Sequence, residues 1–505
     1  MHGPSATSFD RALSTLLDPD LEAIVDAVLR KVDADTYEVL AADGSVRVRR
    51  RVEGSSWSFD VVGSTGRAPF ADQSTDRFAG LSSELATRWP DRSQNAYPFA
   101  YHQLAQLWDA PAAPDLAVLH SASHNWEDQG GHRGEHGSIG VVQARAPFIL
   151  AGAGVRTLGR VDRSCRLVDL APTVLALLGL PLDDGVGENG APRATYLARQ
   201  DGEALTDLLD GRRPQHVIGF LMDGTNPNVL YDAIERGEAP NIERLGAMGT
   251  TLGHGAMASF PTVTLANHTA ALTGCHPGHH GVLHNAWYDR RLGRQVITNS
   301  PDTWATSMQW LNPEVETIHQ VIHRHEPEAF TASVNEMCDV GADFSTFDLM
   351  RRRQRLGFPK QPEGIPFSTE RFVRPHKDYA WFTQVDHHGM QQATGIWRGS
   401  FLDVEYPLPR FTWVNFSLTD TAFHQGGPHS EIARASIADT DARIGEVLHA
   451  VDDSGRFDET AFFVVADHGM EESNPAVTGD WGIALQAAGV TFRDEGYGFL
   501  YLDVT

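Results

Sequence analysis

Four short stretches carry residue types able to hold a divalent cation or activate an oxygen nucleophile. Asp223 follows the apolar run VIGFLM (217–222) and precedes Gly224. Asp420 and His424 stand four apart in TDTAFHQGGPHS (419–430), and Asp467 and His468 are adjacent in VVADHGM (464–470). Carboxylates and imidazoles are donors suited to Zn2+. Thr264 lies in FPTVTLANHTAALTG (260–274), which reads as a tight turn into a helix ending at Gly274. A helix start offers unpaired N–H groups and a positive dipole end, and both suit an anionic phosphoryl group. A threonine hydroxyl becomes an effective nucleophile once a metal or a base takes its proton. Each feature also has a plainer use: an Asp-Gly turn, a Thr N-cap, an Asp–His surface pair. Asp, Asp-x3-His and Asp-His at three strand ends, with a Thr at a helix start, are far harder to obtain by chance.

These residues need rigid elements behind them. Short apolar runs recur at LAVLH (116–120), PFILAG (147–152), VIGFLM (217–222), FTWVNFS (411–417), AFFVVAD (461–467) and GFLYLDV (498–504). Their length and polar flanks suit strands buried on both faces. Helix patterns fall between them. Residues 19–32 begin at Pro19 behind Asp18 and place Ile24, Val25, Val28, Leu29 and Val32 on one face. Residues 168–178 end before Gly179, and residues 430–450 put Ile437, Ile444, Val447 and Leu448 on one stripe. Strand–helix alternation predicts an α/β fold with a mostly parallel central sheet flanked by helices. SVRVRRR (45–51) alternates apolar with basic residues and predicts an edge strand with Arg outward. Residues 43–110 read as an irregular excursion. Residues 286–405, rich in Arg, His, Trp and Pro, read as a cap inserted over the core.

Composition narrows the function. The chain has 505 residues, 41% hydrophobic and 21% charged, which is globular composition. Lys plus Arg is 41 against 66 Asp plus Glu, a formal net charge of −25. Such a surface repels nucleic-acid backbones and anionic membranes. Cys165, Cys275 and Cys338 are too sparse for a disulfide framework and lack metal-ligand spacing. No secretory signal pattern and no spanning apolar run is seen, so the expectation is a cytoplasmic protein with no membrane role and no nucleic-acid polymer partner.

With these words in hand, residues 216–285 and 411–470 resemble the nucleotide pyrophosphatase/phosphodiesterase family of the alkaline phosphatase superfamily. The matching words are MDG, FPTVTLANHTAALTG, HPGHHGVLHN, Asp-x3-His followed by GP, and ADHG. The resemblance implies an alkaline phosphatase-like fold and a small phosphorylated substrate. It makes Thr264 the nucleophile, with Asp223, Asp467 and His468 around the cation that activates it. Asp420 and His424 would belong to a second cation, and Asn285 would hydrogen-bond a phosphoryl oxygen. The cofactors implied are two Zn2+, with another divalent metal as the alternative.

The family closes its second metal site with a histidine near the C-terminus, in a Gly-x-His-Gly context. No histidine follows His468 here. GEHGS stands instead at 134–138, followed by ARAPFILAGAGV (144–155) and LVDLAPTVLALLGLPL (167–182), which resemble the superfamily's usual C-terminal end. The expectation is a circularly permuted chain. Residues 1–209 would be the permuted C-terminal part of the core and 210–505 its N-terminal part, with the 286–405 cap inside it. His136 supplies the missing ligand, with His120, His124 and His132 as competitors. Residues 1–20 should then lie close to 495–505. VDHHGM (385–390) is a similar word inside the cap; Asp386, His387 and His388 are given no metal role. His279 and His280 read as structural, and Asp439 and Asp441 as a solvated helix face.

The expected chemistry is in-line attack by Thr264, a phospho-threonine intermediate and its hydrolysis. Four positive charges on two Zn2+ against three aspartates leave a net positive site in an acidic protein. In nucleotide-cleaving relatives an aromatic residue follows the nucleophile; here it is Leu265, with Trp287, Tyr288 and Trp397 as replacements from the cap. Phosphodiester hydrolysis is therefore the first reading. A phosphonoacetate hydrolase-like C–P cleavage stays open, with Lys360, Lys377, Arg371 and Arg374 available for a carboxylate. A phosphomonoesterase and a non-catalytic binding protein also remain. A sulfatase is disfavoured, since the Cys-x-Pro-x-Arg word is missing at the nucleophile.

Overall fold

Residues of both parities in the 217–222 run are buried: Val217 and Leu221 pack on one side, Ile218, Phe220 and Met222 on the other. A strand apolar on both faces must be covered twice, and this dictates the layers around it. The computed structural model describes residues 6–54, 56–125, 132–352 and 373–504. Its central sheet has eight strands in the order Phe344–Ser345, Thr331–Val334, Phe411–Phe416, His216–Met222, Thr460–Val465, Phe148–Gly152, Gly249–Leu252, Gly159–Val161. The first five run parallel, Phe148–Gly152 runs antiparallel to both neighbours, and the last pair is parallel again. The α/β reading with a mostly parallel, helix-flanked central sheet holds. At the centre Gly219 is required, because a Cβ there would stand 2.1 Å from the Trp413 ring.

One face of this sheet is covered by the Leu170–Leu178 helix, whose C-cap Gly179 takes φ 74° as a left-handed C-cap does. The long Glu431–Asp453 helix covers the other face with Ile437, Ile444, Val447 and Leu448. Asp441 departs from the expected solvated face. It is 2% exposed and accepts the Asn241 and Ile242 N–H groups at the start of the Pro240–Ala247 helix.

A second sheet of seven antiparallel strands stands apart from the first. Its order is Phe492–Glu495, Phe499–Leu502, Leu116–His120, Val25–Lys31, Thr36–Ala41, Gly44–Glu53, Ser56–Gly66. Three expectations change here. The 116–120 and 498–504 runs are strands, but of this antiparallel sheet. The helix expected at 19–32 is a single 3-10 turn, Pro19–Leu21, capped by Asp18, followed by the strand Val25–Lys31. Pairing with Leu116–His120 and Thr36–Ala41 buries that β-branched run on both faces, which overrides its helical spacing. Gly44–Glu53 buries Val46 and Val48 and exposes Arg47 and Arg49, but it is not the edge; Ser56–Gly66 is.

The range 286–405 contributes Thr331–Val334 and Phe344–Ser345 to the central sheet, so it is not wholly an excursion above it. The Val373–Trp397 helix packs against the Phe411–Phe416 strand and the Glu431–Asp453 helix. The two ends of the chain meet: Ser8 Oγ donates to the Asp503 carboxylate at 2.7 Å, and Arg11 donates to Gly489 O at 3.1 Å. The three cysteines are buried and free. Among the described residues no helix is long and apolar enough to cross a membrane.

An ionic chain ties the second sheet to the segment that follows the Thr264–Thr273 helix. Arg50 on Gly44–Glu53 donates to Asp109, whose Oδ2 lies 3.2 Å from His279 Nε2. His279 Nδ1 is 2.6 Å from Asp201, which also accepts the His276 N–H at 2.7 Å. His279 and His280 are thus structural, as expected; His280 Nε2 bonds Ala266 O. Burial would raise the Asp201 carboxyl, but His279 holds it far below the usual range, while Asp201 and Asp109 outweigh burial and hold His279 above its own. Asp201→Ala removes the Nδ1 partner of the His279 imidazole, leaving it Asp109 alone, and buries the His276 N–H without its acceptor. We predict a loss of about 3–5 kcal/mol, read as a lowered guanidinium midpoint at unchanged slope. In the wild type the Asp201 contribution is present above the unfolded carboxylate pKa and fades as pH falls towards its depressed value. That of His279 is present below the unfolded imidazole pKa and fades as pH rises through its raised value. In the variant the Asp201 trend should vanish and the His279 trend should shrink to the part that Asp109 sustains.

Candidate metal centre

Open parallel sheets bind ligands beyond the carboxyl ends of their strands, where helix starts and loops converge. Here three neighbouring strands deliver acids to that edge. Asp223 follows His216–Met222, Asp467 follows Thr460–Val465, and Asp420 sits early in the Leu418–Gly426 helix that follows Phe411–Phe416. The turn after Asp223 needs glycine: Gly224 has φ +64°, and a Cβ there would lie 2.5 Å from Asp420 Oδ1. Its N–H donates to Asp467 Oδ1 at 3.0 Å, fixing two of the three carboxylates against each other. Thr264 is the first residue of the Thr264–Thr273 helix, with Val263 as N-cap. It opens onto the same cavity as Asp223 and Asp420.

His136 comes from far away in sequence. Gly134–Glu135 pairs antiparallel with Glu471–Glu472, directly after His468. That short ladder swings His136 to Asp420 and His424: the two Nε2 atoms are 3.1 Å apart, and Asp420 Oδ1 is 3.8 Å from His136 and 3.4 Å from His424. The His136 and His468 rings stack at 3.8 Å. Two of the three competitors are engaged elsewhere, while His132 adjoins the cluster. His124 bonds Gly479 O, and His120 reaches the His136 carbonyl. His132 stands beside Glu135 and His424.

Three imidazoles are oriented alike. Nδ1 of His136 lies 2.7 Å from Thr262 O, that of His424 2.7 Å from Gly134 O, and that of His468 2.9 Å from Gly469 O. Each such bond makes Nδ1 the donor and turns Nε2 inward, as metal-ligating histidines do. His468 Nε2 is 3.1 Å from Asp467 Oδ2 and 3.9 Å from Asp223 Oδ1. His268, one turn beyond Thr264, also faces this cluster, with Nε2 at 3.6 Å from both Asp223 and Asp467. Its Nδ1 is held at 2.8 Å by Glu336, which also accepts the Trp413 indole N–H at 3.1 Å. The i, i+4 spacing from Thr264 could have flagged His268. Glu336 carries no such signal.

Fit to a cation is tested by what these atoms lack. Asp223 Oδ1, Asp420 Oδ1, Asp467 Oδ2, His268 Nε2 and His468 Nε2 are buried and make no hydrogen bond of normal geometry among the described residues. Buried polar atoms are almost always paired, so five orphans in one cluster call for a positive partner. Two groups have all their donor atoms within 4.8 Å of one another: His136, Asp420, His424, and Asp223, Asp420, His468. Two more, Asp223, His268, Asp467 and His132, Glu135, His424, share members with them. The donor set is the oxygen-and-imidazole chemistry of divalent zinc.

The electrostatics agree. Burial, with the Asp467 and Asp420 charges, pushes Asp223 far above the carboxylate range. Burial holds Asp420 at about 6 against the pull of His468. Burial would raise Asp467 too, but His468 draws it down to about 2. His468 itself is held at about 9, because Asp467 outweighs its burial. Burial keeps His136 and His424 well below their usual value, hence neutral and able to ligate. Three crowded carboxylates are a cost that a cation removes.

Asn285 stands at the helix start. Its Oδ1 accepts the Leu265 N–H at 3.1 Å, which leaves its Nδ2 to donate. Beside Thr264 lies a cavity of about 450 Å3 walled by Trp304, Met337, Phe347, Trp381 and Phe382. The aromatics expected there are elsewhere. Trp287 and Tyr288 are buried against Trp310 and Tyr501, and Trp397 donates to Thr412. Lys360 and Arg371, with the side chains of Arg374 and Lys377, lie outside the described residues.

The family profile for type I phosphodiesterase / nucleotide pyrophosphatase matches residues 217–501, more than half of the 505-residue chain. The alkaline phosphatase PafA of Elizabethkingia meningoseptica is 27% identical over 135 residues, 26% of this chain and 23% of that protein. The ectonucleotide pyrophosphatase/phosphodiesterase family member 3 of Mus musculus is 22% identical over 263 residues, 51% of this chain and 25% of that protein. The chain thus spans about a quarter of the length of these curated relatives. A solved phosphonoacetate hydrolase from Sinorhizobium meliloti 1021 aligns at 21% identity and TM-score 0.34, covering 52% of this chain and 58% of the other. From the profile match, this chain belongs to the type I phosphodiesterase/nucleotide pyrophosphatase family.

Proposed function

We propose that this protein hydrolyses phosphodiester or pyrophosphate bonds of small substrates through a phospho-threonine at Thr264. The observation that carries the reading is the cluster of orphaned acid and imidazole atoms, two of whose aspartates, Asp223 and Asp420, line the same cavity as Thr264. Asp223, Asp467 and His468 would hold one divalent cation, and Asp420, His424 and His136 a second, zinc being the ion the donor set suits best. When bound, such ions supply Lewis-acid polarisation and charge neutralisation on both sides of the phosphorus.

The chain's own residues do the rest. Thr264 Oγ attacks phosphorus in line and gives up its proton, the P–O bond to the leaving alkoxide breaks, and a proton is returned to that oxygen as the alcohol departs. The Asn285 amide donates to an equatorial oxygen and steadies its growing charge. The positive end of the Thr264–Thr273 helix faces the same centre. Water then attacks the phospho-threonine, the Thr264 Oγ–P bond breaks, and a monoester leaves. The apolar cavity would seat the substituent on phosphorus. No Lys or Arg occurs among its described lining residues, which favours an uncharged substituent over the carboxylate of a phosphonoacetate-type substrate.

The same reading includes the permuted order. It is supported by the Gly134–Glu135 to Glu471–Glu472 ladder, the place of Phe148–Gly152 beside Thr460–Val465, and the Ser8–Asp503 contact.

With zinc-loaded protein, bis-p-nitrophenyl phosphate should be hydrolysed in preference to p-nitrophenyl phosphate, and a chelator should stop both. A monoester preference would move the assignment to a phosphatase. Thr264→Ala should lower kcat by about 10^4-fold or more while keeping both cations; a variant with full activity would remove the nucleophile assignment. His136→Ala should weaken the second zinc equivalent by about tenfold or more and leave the first in place, as followed by competition with a chromogenic chelator. Equal loss of both would show that His136 is no ligand of a separate site.

A further inference from the structure

The Val373–Trp397 helix holds a buried carboxylate that the proposed chemistry does not use. Asp386 has no exposed surface. Its Oδ1 accepts the Ser417 N–H at 2.9 Å and its Oδ2 the Leu418 N–H at 3.0 Å. Ser417 is the N-cap of the Leu418–Gly426 helix and makes no side-chain cap bond of its own. So two consecutive N–H groups, at the end of the Phe411–Phe416 strand and the start of the next helix, are held by one acid from another helix. Those N–H groups would otherwise be buried donors without acceptors, and the anion also meets the positive end of the helix. Two residues further on is Asp420, and one more turn brings His424. Thr419, between the anchor and Asp420, donates its hydroxyl to Asp223 O at 2.6 Å.

Resting on the reading of Asp420, His424 and His136 as ligands, we propose that Asp386 is a positioning residue for the second cation. Its carboxylate sets the height and rotation of the Leu418–Gly426 helix, and so the placement of Asp420 Oδ1 and His424 Nε2 relative to His136. A helix pinned only by apolar packing can slide or turn by fractions of an ångström, and a metal site built from its side chains would not tolerate that. Two in-plane acceptors are required. An amide of equal size offers one, and would point an N–H2 at the other N–H. Trp381, Phe382 and Val385 of the same helix line the cavity beside Thr264, so Asp386 also joins the cavity wall to the ligand-bearing helix.

The test is Asp386→Asn in the full chain, with zinc titrated against a competing chelator. The second equivalent should weaken by about 10–100-fold, the usual effect of losing a support behind a ligand, while the first is unchanged. Turnover of bis-p-nitrophenyl phosphate should fall with the second site's occupancy and recover at high zinc. Asp441→Asn serves as the control. That acid also caps a helix start from another helix, but the capped Pro240–Ala247 helix carries no proposed ligand. It should lower thermal stability and leave both zinc affinities alone. Wild-type affinity at both sites in Asp386→Asn overturns the proposal, as does equal loss of both sites. If that variant does not fold, Asp386→Glu retains two acceptors and should fold with a selectively weakened second site. Hydrogen exchange in the wild type then reads the same contact: Ser417 and Leu418 amides should open only with global unfolding, and fast local exchange overturns the proposal. A wild type that takes up only one zinc overturns the ligand reading along with it. A wild type with two, and an unaffected variant, overturns the role of Asp386 alone.

Discussion

Three aspartates buried within reach of one another are the constraint to which the rest of this molecule answers. Asp223, Asp420 and Asp467 come from the carboxyl ends of three adjacent parallel strands, where the backbone leaves little choice about their spacing. Low dielectric surroundings make mutual repulsion strong. The protein answers with partial countercharge. His468 and His268 lean on Asp467 and Asp223, and the Gly224 N–H donates to Asp467. These contacts leave several oxygens and ring nitrogens without partners. A site arranged in this way is built for cations, and its charge with two zinc ions would be positive although the chain carries −25 overall.

The supports of the site follow from the same need for fixed geometry. Each inward-facing imidazole is anchored through Nδ1 to a backbone carbonyl, so its ring cannot spin. Glu336 does the equivalent for His268, and Trp413 and the Cys338 N–H hold Glu336. Asp386 holds the start of the helix that carries Asp420 and His424. These supports come from scattered parts of the chain, so the geometry of this edge depends on the whole packing of the central sheet.

The second sheet has a different task. Its strands derive from both ends of the chain, and Phe499–Leu502 completes it beside Leu116–His120. The Arg50–Asp109–His279–Asp201 relay fastens it to the loop that follows the Thr264–Thr273 helix. The antiparallel sheet is thereby linked to residues just beyond the Thr264–Thr273 helix.

Residue types and spacing alone were enough for the chemistry-bearing words. Asp223, Thr264, Asp420, His424, Asp467 and His468 lie within short motifs whose local structure, strand end or helix start, is dictated by nearby residues. The central strands were legible for the same reason: runs such as 217–222 are apolar on both faces and can only be buried. His136 was suggested by what its neighbours resemble, but its distance to His424 is decided by the Gly134–Glu135 ladder, a contact between residues hundreds apart. Only tertiary structure decided that 25–31 is a strand, because β-branched residues at helical spacing take whichever pairing the rest of the fold offers. It also decided which aromatics wall the cavity, and that Asp441 and Asp386 are buried caps. A carboxylate on a helix reads the same in sequence whether it faces water or another helix's N–H groups, and only packing tells the two apart.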